Sequence, residues 1–264
     1  MKVAALIPAR FESSRYPGKP LAAVRGAGGQ AKPLIQRTFE AAQRVEGLDS
    51  IHILTDDDRI AKAARSFGAK MIMTSAECRN GTERCAEVLR KLGRPDLVVN
   101  IQGDALLTPS YFIEALIETM ADSDAQVATP AMRLRSAEVR ALQAEEAAGR
   151  VGGTTVVTDN AGGALYFSKR LLPHLPQGAL DGEMSPVLLH VGVYAYRPAA
   201  LAAYAAIPQA ELEELEGLEQ LRFLAAGISV AVVEVEPPPY ALRELNNPED
   251  LGPIEEALKR AGIE

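Results

Sequence analysis

The sequence predicts an α/β fold built on a mixed, mainly parallel sheet flanked by helices, and three observations carry that prediction. Three runs, Lys2–Ile7, Ser50–Leu54 and Asp96–Ile101, are apolar on both faces, as parallel strands covered by helices are. Helical patterns lie between them, so the first hundred residues read β-α-β-α-α-β. Hydrophobic residues make up 47% and charged residues 24% of the 264 residues, which suits a chain with a sizeable core and argues against disorder. The length fits one large domain or two small ones.

Each element has its own local signal. Lys2–Ile7 is ended by Pro8 and Arg10, too soon for a signal sequence or a membrane span, so it reads as a buried first strand. A helix over Pro33–Val45 opens with Pro in its first turn. The strand Ser50–Leu54 leads through Thr55 and Asp56 into a helix over Asp57–Phe67, and Thr82–Leu92 is helical before the strand Asp96–Ile101. Arg135–Gly152, rich in Ala, Glu and Arg, has the composition of an exposed helix or a variable excursion. Thr154–Thr158 and Ala164–Phe167 flank Asp159–Gly163, whose Asn and Gly mark the turn of a hairpin. His190–Tyr196 and Ser229–Val235 are strand candidates, and Leu212–Ala226 and Pro248–Ala261 are helical.

Charge and cysteine content narrow the function. With 28 Lys and Arg against 35 Asp and Glu the net charge is −7, which argues against a nucleic-acid or anionic-membrane binder. Cys78 and Cys85 stand seven apart, matching neither a metal-binding CxxC nor a disulfide framework, so a reducing cytoplasm is expected. The cations are unevenly spread: residues 1–38 hold seven Lys or Arg and one acidic residue.

Most of the signal lies in Ile7–Leu21, IPARFESSRYPGKPL, directly after the first strand. In an open α/β sheet, ligands bind at the loops beyond the carboxyl ends of strands. Arg10, Arg15 and Lys19 alternate there with Ser13, Ser14 and Gly18, and prolines at 8, 17 and 20 keep the segment from becoming a helix. Guanidinium forks, hydroxyls and backbone N–H groups together suit a polyphosphate; the same residues also describe a solvated basic loop. A GxxxxGK[ST] loop is absent, which disfavours ordinary P-loop ATPase chemistry. Gly26–Ala31 matches the dinucleotide pattern G-x-G-x-x-G/A, but only Leu21–Val24 precedes it as a possible strand and Pro33 stands where the helix should be running. A flexible surface loop is the competing reading.

Other candidates stand at element ends. Asp104 closes the third strand in Asn100-Ile101-Gln102-Gly103-Asp104, at the crevice the first loop also faces, where it is either a turn residue or a hard oxygen ligand for Mg²⁺. Asn80-Gly81-Thr82-Glu83-Arg84 starts a helix, as an N-cap or as a terminus facing a base or phosphate. His190, Tyr194 and Tyr196 alternate at period two, which puts them on one face of one strand, lining a pocket or forming a wet face. Glu216 and Gln220 are four apart and project together from one helix, toward a ligand or toward solvent.

At this point the sequence resembles the 3-deoxy-manno-octulosonate (Kdo) cytidylyltransferases, in a divergent form. The matching segments stand in family order: residues 7–21, TDD at 55–57, NGTER at 80–84, NIQGD at 100–104, ALYFS at 164–168, HVGVYAYR at 190–197, LEQLR at 218–222 and NPEDL at 247–251. The resemblance implies a nucleotide-diphospho-sugar transferase-like, Rossmann-like fold with a small dimerisation subdomain. Residues 1–130 would be the nucleotide half, 131–210 the dimerisation and sugar-binding segment, and 211–264 a return to the core sheet. It implies a cytoplasmic homodimer that uses CTP, Mg²⁺ and a keto-sugar acid in lipopolysaccharide biosynthesis. Pro8, Ala9, Arg10, Arg15, Lys19, Asn80, Gly81, Arg84 and Gln102 would hold the nucleotide, with Arg10, Lys19 and Asp104 catalytic. Asp104 and Asn246 would face the metal, and His190, Tyr194, Glu216 and Gln220 would surround the sugar acid.

The departures from the family pattern are as informative. Ala105 and Leu106 follow Asp104 where the family writes Glu-Pro, and Asn246 replaces a second metal-binding Asp, for which Glu244 would compensate if the loop is rearranged. Thr155 and Lys169 stand where the family has Lys and Arg, which alters recognition of an acidic sugar because Lys lacks the guanidinium fork. These changes favour an alternative to the transferase, a catalytically weak paralogue that binds nucleotide or sugar in an assembly or regulatory role; a further alternative, an NAD(P)-dependent oxidoreductase, rests only on Gly26–Ala31.

Overall fold

A computed structural model describes residues 1–13 and 15–264, so Ser14, counted above in the cationic loop, lies outside the described residues. The chain is mixed α/β and divides into two compact units, Met1–Glu114 with Pro238–Glu264, and Ala115–Pro237.

The first unit is built on a parallel sheet of order β5-β4-β1-β6. Its strands are β1 (Val3–Pro8), β4 (Ser50–Thr55), β5 (Lys70–Met73) and β6 (Leu97–Ile101), with β2 (Ala23–Arg25) and β3 (Ala31–Pro33) as a separate hairpin. All six residues of β1 are buried, and it pairs in parallel with β4 on one side and β6 on the other, Ala5 facing Ile51 and Val99. That double coverage is why its sequence is apolar on both faces. Helices α1 (Leu34–Ala42), α2 (Asp58–Ser66), α3 (Gly81–Glu87) and α4 (Ser110–Asp122) follow in chain order, and the division between the units falls within α4. Asp57 caps α2 by accepting from Arg59 N, and Asn80 caps α3 by accepting from Glu83 N, each at 2.8 Å.

Two expectations for this unit change. The helix expected over Thr82–Leu92 begins at Gly81, ends at Glu87 and passes into a 3₁₀ turn over Leu89–Lys91. The glycine pattern Gly26–Ala31 is the turn of the β2–β3 hairpin, closed by Gly26 N donating to Gln30 O at 3.2 Å, so it does not lead from strand to helix as a dinucleotide loop must. The chain's end explains the glycines. A side-chain carbon at Gly28 would lie 2.4 Å from Glu264 Oε1, while Ala27 N donates to Ile263 O.

The second unit centres on β7 (Val127–Arg135), followed by α5 (Ser136–Ala147), β8 (Thr155–Thr158), β9 (Ala164–Ser168), β10 (Met184–His190), β11 (Val193–Tyr196), α6 (Pro198–Ala206), α7 (Glu211–Glu216), α8 (Leu221–Ala225) and β12 (Val230–Val235). β12 runs parallel to β7, while β10 and β11 pair with it antiparallel. The β8–β9 hairpin turns as its sequence predicts, with Asp159 Oδ1 accepting from Ala161 N and Gly163 N at 2.8 Å.

The single strand expected over His190–Tyr196 is broken. Register with β7 moves from His190 opposite Ala131 to Ala195 opposite Ala128, a slip of two residues taken up at Val191 and Gly192. The single helix expected over Leu212–Ala226 is likewise two, because Gly217 adopts a left-handed backbone (φ 61°) that ends α7.

The chain returns to the first unit as α9 (Leu251–Ala261). Its Ile254 and Leu258 pack with Val24, Leu34, Leu106, Leu107 and Leu245 in one buried cluster. Leu106, the departure from the family's Pro, is thus a core residue, and Leu245 anchors the segment carrying Glu244 and Asn246 to the loop after β6.

Candidate functional site

The carboxyl ends of β1 and β6 lie side by side because the strands are parallel neighbours, and the loops that follow them meet. Gly103 allows the close approach: a side-chain carbon there would lie 2.8 Å from Pro8 O. Thr38 Oγ1 donates to Gly103 O at 2.9 Å and fixes the turn from below. Lys19 Nζ then reaches Asp104 Oδ2 at 2.5 Å, both side chains partly buried.

The cationic loop is folded on itself. Gly18 N donates to Phe11 O at 2.8 Å, and Gly18 packs so closely on the Phe11 ring that a side-chain carbon there would meet Cζ at 3.0 Å. The Arg59 guanidinium lies over that same ring, 3.3 Å from its centroid, and is itself held by both oxygens of Asp57. Arg15 Nη2 donates to Asn246 Oδ1 at 2.9 Å. Arg10 is exposed, while Pro8 and Ala9 are buried, Ala9 N donating to Leu54 O at 2.8 Å.

The start of α3 closes against the same strand ends. A side-chain carbon on Gly81 would lie 3.2 Å from both Gln102 Nε2 and Pro8 Cγ and 3.5 Å from Asn100 Nδ2. Asn100 is fully buried, and neither atom of its amide has a hydrogen-bond partner among the described residues. Arg84 is also buried; its guanidinium donates to Thr74 Oγ1 and lies 3.5 Å from Asp56 Oδ2, so it ties α3 to the turn after β4.

Glu244 completes this cluster. Its surface is open to water although protein crowds it, and desolvation, then the negative charge of Asp104, pushes its carboxyl above the usual range. Lys19, a hydrogen bond with Asn246 and Arg15 oppose the shift. Among the described residues no three His, Cys, Asp or Glu side chains group into a metal cage. The donors present, Asp104, Glu244 and the Asn246 carbonyl, are hard oxygens. They fit Mg²⁺, which commonly takes one or two carboxylates and completes its shell with phosphate oxygens and water. No thiol chemistry competes: Cys85 is buried, and burial with the neighbouring Glu87 pushes the Cys78 thiol up to about 12.

The sugar-side candidates lie in the second unit. His190, Tyr194 and Tyr196 do follow one another, with ring centroids 5.5 Å and 5.8 Å apart. They do not form a wet face: Tyr194 and Tyr196 are buried, and the series continues through Phe223 to Tyr204. His190 keeps part of its surface open while protein encloses the ring, and burial lowers its pKa to about 3. Glu216 ends α7, whereas Gln220 stands in the turn that leads into α8. Glu216 accepts from Ser168 Oγ at 2.7 Å and Lys169 N at 2.9 Å, tying α7 to the end of β9. Gln220 is buried, and its Nε2 has no hydrogen-bond partner among the described residues. The turn that carries both is braced by a buried pair, Glu213 with Arg222 at 2.6 Å, over the Tyr204 ring.

Sequence reasoning did not single out Glu213, Arg222, Thr129 or the Phe11–Arg59 contact. For the first pair the pattern was visible, because acidic and basic residues nine apart bracket a helix-ending glycine; Thr129 and Phe11 carry no local signal of their own.

A family model described as "Cytidylyltransferase" matches residues 4–231. The 3-deoxy-manno-octulosonate cytidylyltransferase of Maricaulis maris is 38% identical over 264 residues, 99% of either chain. The 8-amino-3,8-dideoxy-manno-octulosonate cytidylyltransferase of Shewanella frigidimarina is 39% identical over 255 residues, 95% of this chain and 96% of the other. A solved structure of CMP:2-keto-3-deoxy-manno-octonic acid synthetase complexed with CTP superposes with a TM-score of 0.83 at 34% identity, covering 99% of this chain and 100% of that one.

Proposed function

The chain belongs to the cytidylyltransferase family, and from that premise we propose that it transfers CMP from CTP to 3-deoxy-manno-octulosonate or a close relative, releasing pyrophosphate. The observation that carries this reading is the paired arrangement of loop cations and oxygen donors, Lys19 on Asp104 and Arg15 on Asn246. A triphosphate could exchange into both pairs. In the reaction the anomeric hydroxyl of the sugar acid attacks the α-phosphorus, the bond to the bridging oxygen of the β-phosphate breaks, and the hydroxyl proton passes to solvent. Little covalent work falls to the protein; charge and positioning do it.

In this reading Arg10, Arg15 and Lys19 bind the phosphates and offset the charge that builds on the leaving pyrophosphate. Pro8, Ala9, Asn80, Gly81, Arg84 and Gln102 shape the nucleotide site, directly or through the loop they hold. Asp104, with Glu244 or Asn246, would hold Mg²⁺, which when bound neutralises phosphate charge. His190, Tyr194, Glu216 and Gln220 serve the sugar acid. The reading extends to a cytoplasmic homodimer acting in lipopolysaccharide biosynthesis, with residues 131–210 in the interface. Support for the interface is that Val151, Leu165 and Met184 within that segment are exposed apolar residues, and light scattering tests it.

Pyrophosphate release from CTP and Mg²⁺ with a panel of keto-sugar acids tests the activity. Release with Kdo is expected. Release only with the 8-amino sugar changes the substrate within the same reaction, and CTP binding without turnover of any acid favours the weak paralogue, which the loss of a carboxylate at Asn246 would explain.

A further inference from the structure

Thr129 of β7 is fully buried, and its hydroxyl oxygen is shared among three polar atoms: His190 Nε2 at 2.9 Å, Val193 O at 2.8 Å and Val191 O at 3.3 Å. A hydroxyl has one proton to donate, and carbonyl oxygens only accept. The short contact with Val193 O takes that proton, so toward His190 the hydroxyl presents a lone pair and Nε2 must donate. The ring meets Phe167 edge-on at 5.0 Å and Tyr194 at 5.5 Å, and no carboxylate pairs with it among the described residues. A neutral ring protonated at Nε2 carries its lone pair at Nδ1. Nδ1 has no hydrogen-bond partner among the described residues and is not among the buried unpaired atoms, so it is open to a ligand.

We infer that Thr129 is a positioning residue that locks His190 in the neutral Nε2–H form, so that Nδ1 is offered as an acceptor to a hydroxyl of the sugar acid rather than as a cation to its carboxylate. The identity of that ligand rests on the cytidylyltransferase reading; the state of the ring does not. The two-residue slip between β10 and β11 creates the device, because it brings the Val191 and Val193 carbonyls and the His190 ring to one hydroxyl.

The chain has three histidines, so ¹⁵N-histidine labelling gives three ring systems, and His190→Asn assigns the one of interest. In the ligand-free wild type, His190 is expected to be protonated at Nε2 and bare at Nδ1. Thr129→Ser should keep that state, whereas Thr129→Val should release it to a mixture. At saturating CTP, Thr129→Val should raise the KM for Kdo about three- to tenfold, the worth of one neutral hydrogen bond, with kcat and the KM for CTP within about twofold and Thr129→Ser restoring the value. His190→Asn, whose Oδ1 stands near the place of Nδ1, should bind the sugar better than His190→Gln.

A wild-type ring protonated at Nδ1, or a Thr129→Val variant with unchanged ring state and KM, would overturn the inference. The wild-type ring state needs no variant, so the idea stays testable if Thr129→Val does not fold. A ring in the stated form that no keto-sugar acid perturbs removes the ligand half of the inference. Absence of turnover with every acid strikes instead at the cytidylyltransferase reading, and the two failures are distinguishable because the ring is read without substrate.

Discussion

Lys19 Nζ and Asp104 Oδ2 face each other at 2.5 Å across the carboxyl ends of two parallel strands, although 85 residues separate them in the chain. The lysine that would neutralise a phosphate and the carboxylate that would hold a metal are therefore paired with each other in the ligand-free protein. Each keeps a minor share of solvent exposure, 20% and 14%, so the pair is accessible enough to open. If both act on charge that builds in the transition state, Lys19→Ala and Asp104→Asn should each lower kcat by about two to three orders of magnitude. Steady-state pyrophosphate release checks this, and a Lys19→Ala enzyme with near wild-type turnover would remove Lys19 from the chemistry.

Gly81 supplies a steric test of the nucleotide site. Its missing side chain leaves room that Gln102 Nε2 and Pro8 Cγ would otherwise contest at 3.2 Å. Gly81→Ala should therefore push Gln102 and the end of β1 apart, at about 1 kcal/mol or more of strain. A raised KM for CTP with a near-normal kcat is the expected result; an unchanged KM would mean that the nucleotide does not lie along this contact.

The buried Glu213–Arg222 pair makes a stability prediction. Both side chains are nearly without solvent contact, and two hydrogen bonds, at 2.6 and 2.7 Å, join them. Breaking such a pair from one side strands a charge, so Arg222→Met should cost about 3–5 kcal/mol in urea denaturation. Replacing both together, as Glu213→Leu with Arg222→Met, should cost less than the single change. A single variant that unfolds like wild type would show that water reaches the stranded carboxylate.

These residues also show what the sequence could disclose. β1 and β6 are legible because burial on both faces forces an unbroken apolar run, and the parallel pairing of two such strands is what brings Lys19 to Asp104. β7 is obscured by Pro130, which removes one donor from the strand, and by Arg133 and Arg135. The Arg15–Asn246 contact has no sequence signal, since it depends on Leu245 packing beneath the β6 loop. For α7 and α8 the signal existed in Gly217, but the four-residue spacing of Glu216 and Gln220 suggested a continuous helix instead.

Acid sensitivity follows from His190. Its folded pKa is lowered from 6.5 to about 3, by burial, so the native ring stays neutral where the unfolded ring takes up a proton. Between pH 6.5 and 3 unfolding binds that proton, and stability falls with pH by at most about 1.4 kcal/mol per unit; above this window the residue adds no pH dependence. His190→Asn removes the effect. Its stability relative to wild type should improve steadily as pH drops from 6.5, by chemical denaturation at a series of pH values, and parallel curves for the two proteins would refute the linkage.

The oxygen at position 246 sets the final prediction. Asn246 Oδ1 accepts from Arg15, and Glu244, hydrogen-bonded to Asn246 and near enough to Asp104 to feel its charge, has its carboxyl pushed upward by desolvation first and that charge second. Asn246→Asp adds a full negative charge to this donor set, which favours a hard divalent cation, while it also strengthens the hold of Arg15 on the new carboxylate. Phosphate oxygens can draw Arg15 away once CTP is bound, so the first effect should win in the ternary complex. The Mg²⁺ concentration for half-maximal activity should therefore fall several-fold in Asn246→Asp with kcat at saturating metal nearly unchanged, and it should rise in Glu244→Gln. Identical Mg²⁺ titrations for all three proteins would mean that the metal is held by Asp104 and the phosphates alone.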